Sequence, residues 1–423
     1  MNRKKLFFVI MTVLTVVALT FGVSGCGGAK KSITFAVNYE DDKSDVIEIK
    51  TDAENLLTAL ENEKIAVLEE TEDGYIIKSV KGVAADAEKK EKWHITKGGE
   101  ELQGSFSEII ISDGDAFELS FVAGISEKGI AEFFEKNVET DARPIAVMID
   151  NDNSDARPQA GIEEAFLVYE MFVEGGSTRY MALFKNAETK KIGPVRSSRH
   201  YFLDYAMEND AIYAHFGWSP LAQQDISALG INNINGLYDS STFYRDYSVT
   251  SDWHTAYTSI ESLEKSADAK EYSFTTDKGN VFTYNRADTD LENGSPAEKV
   301  TLKYSGFYIT GYKYNPETKL YTKQLGQSDY PTQSGKPIAA KNIIVQFASN
   351  YNLGDGSARQ QIDTVGSSTG YYITNGKCIE INWSKSSRSA KTVYTDKEGK
   401  EIKLNPGTTY VNLINKSIGA VIE

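Results

Sequence analysis

Glu170, Glu174 and Arg179 are residues whose types and spacing could do chemistry. They lie on two strand-like runs, Phe166 to Glu174 and Ser177 to Phe184, joined by Gly175-Gly176, a strong signal for a two-residue hairpin turn. Pairing across such a turn sets Glu174 opposite Ser177, Phe172 opposite Arg179 and Glu170 opposite Met181. One face then carries Leu167, Tyr169, Met171, Val173, Tyr180, Ala182 and Phe184 as core, and the other carries Glu170, Glu174 and Arg179. Arg179 sits diagonal to both glutamates at about 7–8 Å, within reach of its side chain. In one reading the three form an ion-pair ladder on a half-covered sheet face. In the other the face lines a cleft and one glutamate is a general acid. Four residues along a strand separate the carboxylates by about 13 Å. The acid pair of a conventional glycosidase needs roughly 5–9.5 Å, so that mechanism is excluded. A single-acid cleavage of the lytic transglycosylase type, using Glu170 or Glu174, is compatible with the spacing.

A second group follows. Arg196 and Arg199 flank Ser197-Ser198 just after Gly193-Pro194, where a helix is expected to begin and run through Tyr201-Phe202-Leu203-Asp204. Arginines and free N–H groups at a helix start suit a carboxylate or a phosphate. The alternative is that Arg196 pairs with Asp204 or a strand glutamate. His215 ends the strand Ala211-Ile212-Tyr213-Ala214 and is followed by Gly217-Trp218, a cleft lining on which a sugar could stack, or a packing histidine. The four histidines are scattered without metal-ligand spacing. No GxSxG elbow, P-loop or dinucleotide fingerprint is present, so no metal and no cofactor is expected.

The elements that must position these residues form an α+β multidomain chain. Residues 26–123 alternate short strands with one helical stretch, Ala53 to Asn62, the outline of an N-terminal β-grasp-like module. Residues 124–142 form an amphipathic helical connector. Residues 143–285 open with the buried strand Ile145-Ala146-Val147-Met148-Ile149 and alternate strand and helix, a central α/β domain with a mixed sheet. The polar stretch Asp277 to Glu298 reads as a linker or long loop, and residues 300–415 as a C-terminal β-rich domain.

The first segment is a targeting signal. Arg3, Lys4 and Lys5 precede the uncharged run Leu6 to Val23, and Val23-Ser24-Gly25-Cys26 sets small residues before a cysteine. This resembles a lipobox, which implies removal of residues 1–25 and lipidation of Cys26. The expected location is the extracytoplasmic face of the cell membrane, held by acyl chains. Cys378 is then the one free thiol, in the alternating run Cys378-Ile379-Glu380-Ile381, and reads as a small buried apolar residue. Charge is uneven: residues 27–140 carry 13 basic and 26 acidic side chains, and residues 141–423 carry 29 and 34. The whole-chain net of −15 argues against a general nucleic-acid binder.

Family resemblance covers most of the chain. Lys81-Gly82-Val83, Trp93-His94-Ile95 and Asp113-Gly114-Asp115 resemble the β-grasp domain at the C-terminus of transcobalamin-like proteins. The runs Ala156 to Gly161, Val168 to Glu170, Glu174 to Arg179, Ile192 to Arg199 and His215 to Pro220 resemble the YerB-like lipoproteins of Gram-positive bacteria. Asn232 to Gly236 and the segment around His254 fit the same pattern, so His254 joins Arg179, Arg196, Arg199, His215 and Trp218 as a candidate anion- or substrate-binding residue. Trp253 stands where that pattern has a proline, and Lys323 where arginine is usual. The resemblance implies an α/β part followed by a β-rich part, and a domain without assigned activity. Three functions remain open: an envelope protein binding cell-wall polymer such as peptidoglycan, or a partner protein; a peptidoglycan-cleaving enzyme; and a small-ligand capture lipoprotein.

Overall fold

The computed structural model describes residues 30–39, 44–71, 74–86, 91–98, 100–102, 104–123, 127–152, 154–326 and 328–423. Residues 1–25, expected to be a signal segment, and Cys26 lie outside the described residues. The chain divides into two compact units.

The first unit holds one mixed sheet. Its main strands are β1 (Lys31–Asn38), β2 (Ser44–Thr51), β3 (Ala66–Thr71), β4 (Gly74–Val80), β5 (Glu91–Lys97) and β6 (Ala116–Ala123), in the order β2-β1-β6-β5-β4-β3. The first and last strands are neighbours and run parallel, with Phe35 beside Phe117. Alternation on β1 puts Ile33, Phe35 and Val37 inside. Helix α1 (Leu56–Asn62) is capped by the Asn55 side chain, which accepts from the Thr58 N–H, and buries Leu56, Ala59 and Leu60.

The second unit is built on an 11-stranded sheet. Its principal strands are β7 (Ile145–Asn151), β8 (Leu167–Phe172), β9 (Thr178–Phe184), β10 (Ile212–His215) and β11 (Asn233–Asn235) from the first half. From the second half come β12 (Asn342–Phe347), β13 (Gly366–Thr374), β14 (Lys377–Lys385) and β15 (Thr409–Ile414). The order is β11-β10-β7-β9-β8-β15-β12-β13-β14. The expected boundary near residues 285–300 therefore does not separate two sheets, because β15 pairs in parallel with both β8 and β12. Asp277 to Glu298 is no simple linker either. Thr283–Tyr284 pairs with Lys403–Leu404, Ser295–Pro296 pairs with β14, and Asp288 and Asp290 both accept from the Asn375 amide.

Both faces of this sheet are covered, which is why β7 and β9 are buried at every residue instead of alternating. One face packs on helix α3 (His200–Glu208), which contributes Tyr201, Phe202, Leu203, Tyr205 and Ala206 against Met148, Tyr169, Met171, Met181 and Val411. The other packs on helix α5 (Ile260–Ala269), through Ile260, Leu263 and Ala267, and on a six-stranded sheet rich in tyrosine. Helix α4 (Pro220–Ala228) starts on Ser219, whose hydroxyl accepts from the Ala222 N–H, with Pro220 at the first helical position. The connector is helix α2 (Glu127–Phe133), which closes in a π-helical turn, Phe134–Val138.

Candidate functional site

The hairpin register differs from the expected one by one residue. Glu170 faces Tyr180, Met171 faces Arg179 and Phe172 faces Thr178. The cause is the turn: Glu174, Gly175 and Gly176 all belong to it, with Gly175 and Gly176 at φ +75° and +84°, and the Val173 N–H closes onto the Ser177 carbonyl. An odd-length loop shifts the pairing and sends the two candidate groups to opposite faces. Glu170 points to the tyrosine-rich side and Arg179 to the α3 side.

Glu170 is fully buried. It accepts from the Lys323 ammonium at 2.8 Å and from the Thr178 hydroxyl at 2.8 Å, and neither charged side chain of the pair is exposed. The ammonium also lies 4.5 to 6.0 Å from the ring centres of Tyr180, Tyr312, Tyr330 and Tyr410. A glycan has no route to this carboxylate, so the general-acid role for Glu170 fails on access. Glu174 sits at the hairpin tip, both oxygens held by Arg199 at 2.7 and 2.8 Å. Burial alone would raise its pKa, but the Arg199 hydrogen bond and charge outweigh it and hold the carboxyl below its ordinary range. That is opposite to what a general acid requires. The ladder of Arg179 between two glutamates does not form.

What the fold assembles instead is a group around Asp150, at the carboxyl ends of three neighbouring parallel strands. Asp150 lies at the end of β7, His215 ends β10 and Asn235 ends β11. In α/β sheets ligands bind outside strand carboxyl ends. Arg179 lies directly across from Asp150 on the antiparallel strand β9. The segment Arg196–Arg199 is extended rather than helical, and α3 starts only at His200. It runs beside the strand-end segment His215–Ser219, through hydrogen bonds from Phe216 N–H to Arg196 O, Ser198 N–H to Gly217 O, and Ser219 N–H to Ser198 O. Gly217, at φ +82°, permits this approach, since a Cβ there would stand 3.1 Å from Ser197 Oγ.

Asp150 Oδ2 accepts from Arg196 Nε at 2.8 Å and from His254 Nδ1 at 2.6 Å, while Oδ1 accepts from the Asn151 N–H at 3.0 Å. Arg179 Nε stands 3.8 Å from Oδ1, too far to bond, and Arg179 Nη1 donates to the Ser197 carbonyl at 2.7 Å. Burial would raise the Asp150 pKa, but the His254 hydrogen bond and the charges of Arg179 and Arg196 bring it below its ordinary value. Burial would lower His254, and Asp150 reverses that, so its pKa is raised. Burial and the like charge of Arg199 push Arg179 down to about 10.

The expected residues divide accordingly. Arg179, Arg196, Arg199 and His254 converge. His215 is a packed histidine, with Nδ1 2.7 Å from the Gly217 carbonyl and its pKa lowered by burial to about 4. Trp218 is half-buried, with its ring centre 5.4 Å from His215 and 5.8 Å from Tyr238, which is 75% exposed. Arg196 lies 4.6 Å from the centre of the Trp253 ring, which is 64% exposed. Asp150 and Asn235 belong to the site although no role was expected for Asp150. The available signal was Asp150-Asn151 at the polar end of an apolar strand. No group of three or more metal-ligating side chains occurs among the described residues. Cys378 is buried, and burial pushes its thiol up to about 12.

Comparisons with known proteins agree with this architecture. Residues 133–273 match the model of "Protein of unknown function (DUF3048) N-terminal domain", and residues 300–411 match that of its C-terminal domain. A Bacillus subtilis (strain 168) relative named "Putative lipoprotein YerB" is 32% identical over 281 residues, covering 65% of this chain and 82% of the relative. The crystal structure of Bacillus subtilis YerB aligns with TM-score 0.60 at 29% identity, covering 67% of this chain and 94% of that one. A Ruminococcus gnavus ATCC 29149 structure is 41% identical over 22% of this chain and 98% of its own, but its TM-score of 0.22 carries no structural argument. The matched domains and the YerB relative together place the chain in the YerB-like family of two-part domains of unknown function.

Proposed function

We propose that this chain is a membrane-anchored extracytoplasmic lipoprotein that binds a cell-envelope polymer without cleaving it. The anchor would be acyl chains on Cys26. Among the described residues no helix is long and apolar enough to cross a membrane. The parallel pairing of the first and last strands in the first unit supports reading that module as β-grasp-like.

The observation that carries the proposal is that both candidate acids are already engaged, Glu170 by Lys323 and Glu174 by Arg199, while the Arg196 guanidinium lies 4.6 Å from the exposed Trp253 ring and Trp218 packs on the exposed Tyr238 ring. Aromatic faces next to guanidinium groups suit a glycan carrying polar and charged substituents. The whole chain should sediment with purified peptidoglycan and release no fragments detectable by mass spectrometry. Anhydro-muramyl products or new reducing ends would overturn the proposal in favour of a cleaving enzyme.

A further inference from the structure

We propose that Arg179, Arg196 and His254, arranged around Asp150 with Asn235 beside them, form a binding site for one anionic group, a phosphate or a carboxylate. As a group borne by an envelope polymer, this anion deepens the function proposed above and rests on it.

The first argument is the acceptor supply. One carboxylate, Asp150, serves two guanidinium groups and an imidazole. Its Oδ2 is shared by Arg196 and His254, and Oδ1 is taken by the Asn151 N–H. Glu174 has both oxygens on Arg199. Asp252, at the exposed edge, lies 3.6 Å from His254 Nε2 and does not reach the arginines. Arg179 is left 94% buried with no carboxylate at bonding distance, and its Nε has no hydrogen-bond partner. A buried guanidinium in that condition is costly unless an acceptor arrives.

The second argument is independent of Arg179. Two more buried polar atoms of the same site are unpartnered, His254 Nε2 and Asn235 Nδ2. Asn235 uses its Oδ1 for the N–H groups of Gly217 and Leu237, which leaves the amide nitrogen as a spare donor. Ser197 and Gly217 link this amide to Arg179, since Ser197 accepts from Arg179 and Gly217 donates to Asn235. With Nδ1–H committed to Asp150, the Nε2 edge of His254 faces Asp252 at 3.6 Å, so His254 acts on the site by holding Asp150. The two spare donors, Arg179 Nε and Asn235 Nδ2, lie opposite Asp150 on β9 and at the end of β11, and unsatisfied buried donors at the carboxyl ends of parallel strands are what an anion-binding site requires.

The test uses the whole chain in mild detergent, with inorganic phosphate and acetate as free probes. Their effect on melting temperature is measured for the wild type, Arg196→Gln and Arg179→Lys, the last retaining charge but losing the planar fork. In parallel, each protein is sedimented with purified walls whose phosphate polymers are retained or stripped. At least one free anion should raise the wild-type melting temperature and fail to raise that of Arg196→Gln. Wall affinity should fall about tenfold or more in both variants. Loss of wild-type binding on stripping assigns the group to phosphate, whereas retained binding that acetate competes away assigns it to a carboxylate. If neither anion stabilises the wild type and both variants hold walls at wild-type affinity, the anion site is wrong while polymer binding stands. Anion protection that Arg196→Gln abolishes, without wall binding, would keep the site and remove the polymer.

Discussion

Glu170 and Lys323, 153 residues apart, form a 2.8 Å ion pair that is closed to solvent on both sides. It joins β8 of the large sheet to the strand Leu320–Leu325 of the six-stranded sheet and lies in a shell of tyrosines. Removing one partner leaves the other charge buried without its counter-ion. Lys323→Met should therefore cost about 3–5 kcal/mol of stability, and the double variant Lys323→Met, Glu170→Leu should recover much of that. Urea unfolding of the two variants checks the pair, and equal losses would contradict it.

Glu174 behaves differently because it is at the hairpin tip and partly exposed. Glu174→Gln removes a surface-edge pair and should cost about 1 kcal/mol or less. Binding to peptidoglycan should persist, since Arg199 is freed rather than lost. Sedimentation of the variant alongside wild type measures this.

The Asp150–His254 contact gives a pH signature. His254 has a folded pKa above its ordinary 6.5, so the stability it contributes is fully present below that value and is lost as pH rises through the folded pKa. Asp150 has a folded pKa below its ordinary 3.8, so its contribution is present above that value and is lost as pH falls through the folded pKa. The melting-temperature gap between wild type and His254→Gln should accordingly be widest near about pH 6 and narrow on the alkaline side. A gap independent of pH would contradict the assignment.

Gly217→Ala tests the close approach of two site segments. The residue sits at φ +82° and its Cβ would crowd Ser197 Oγ at 3.1 Å. A loss of about 1–3 kcal/mol is expected, together with weaker wall binding, because Ser197 positions Arg179. Thermal melting and sedimentation read the two effects.

Much of this was legible in the sequence. The apolar run Ile145–Ile149 follows from residue type and spacing, whereas Arg196 and Arg199, expected at a helix start, lie on an extended segment and bond different carboxylates, Asp150 and Glu174. The hairpin was recognisable but its register was not, because Gly175-Gly176 fits two-residue and three-residue loops and the choice reverses which face Glu170 occupies. Glu170 finds its partner 153 residues away and Asp150 meets His254 104 residues away, so neither pairing leaves a local trace. The shared sheet was hidden for the same reason: β15 inserts between β8 and β12 from the far end of the chain.

Polymer binding is tested most directly by a sedimentation isotherm of the whole chain with purified peptidoglycan, run beside Tyr238→Ala and Trp253→Ala. Both side chains are mostly exposed, so the variants should keep their fold. The wild type should bind saturably without releasing fragments, and each variant should bind about fivefold to tenfold more weakly. Wild-type protein that stays in the supernatant, or that solubilises the wall, would contradict the account.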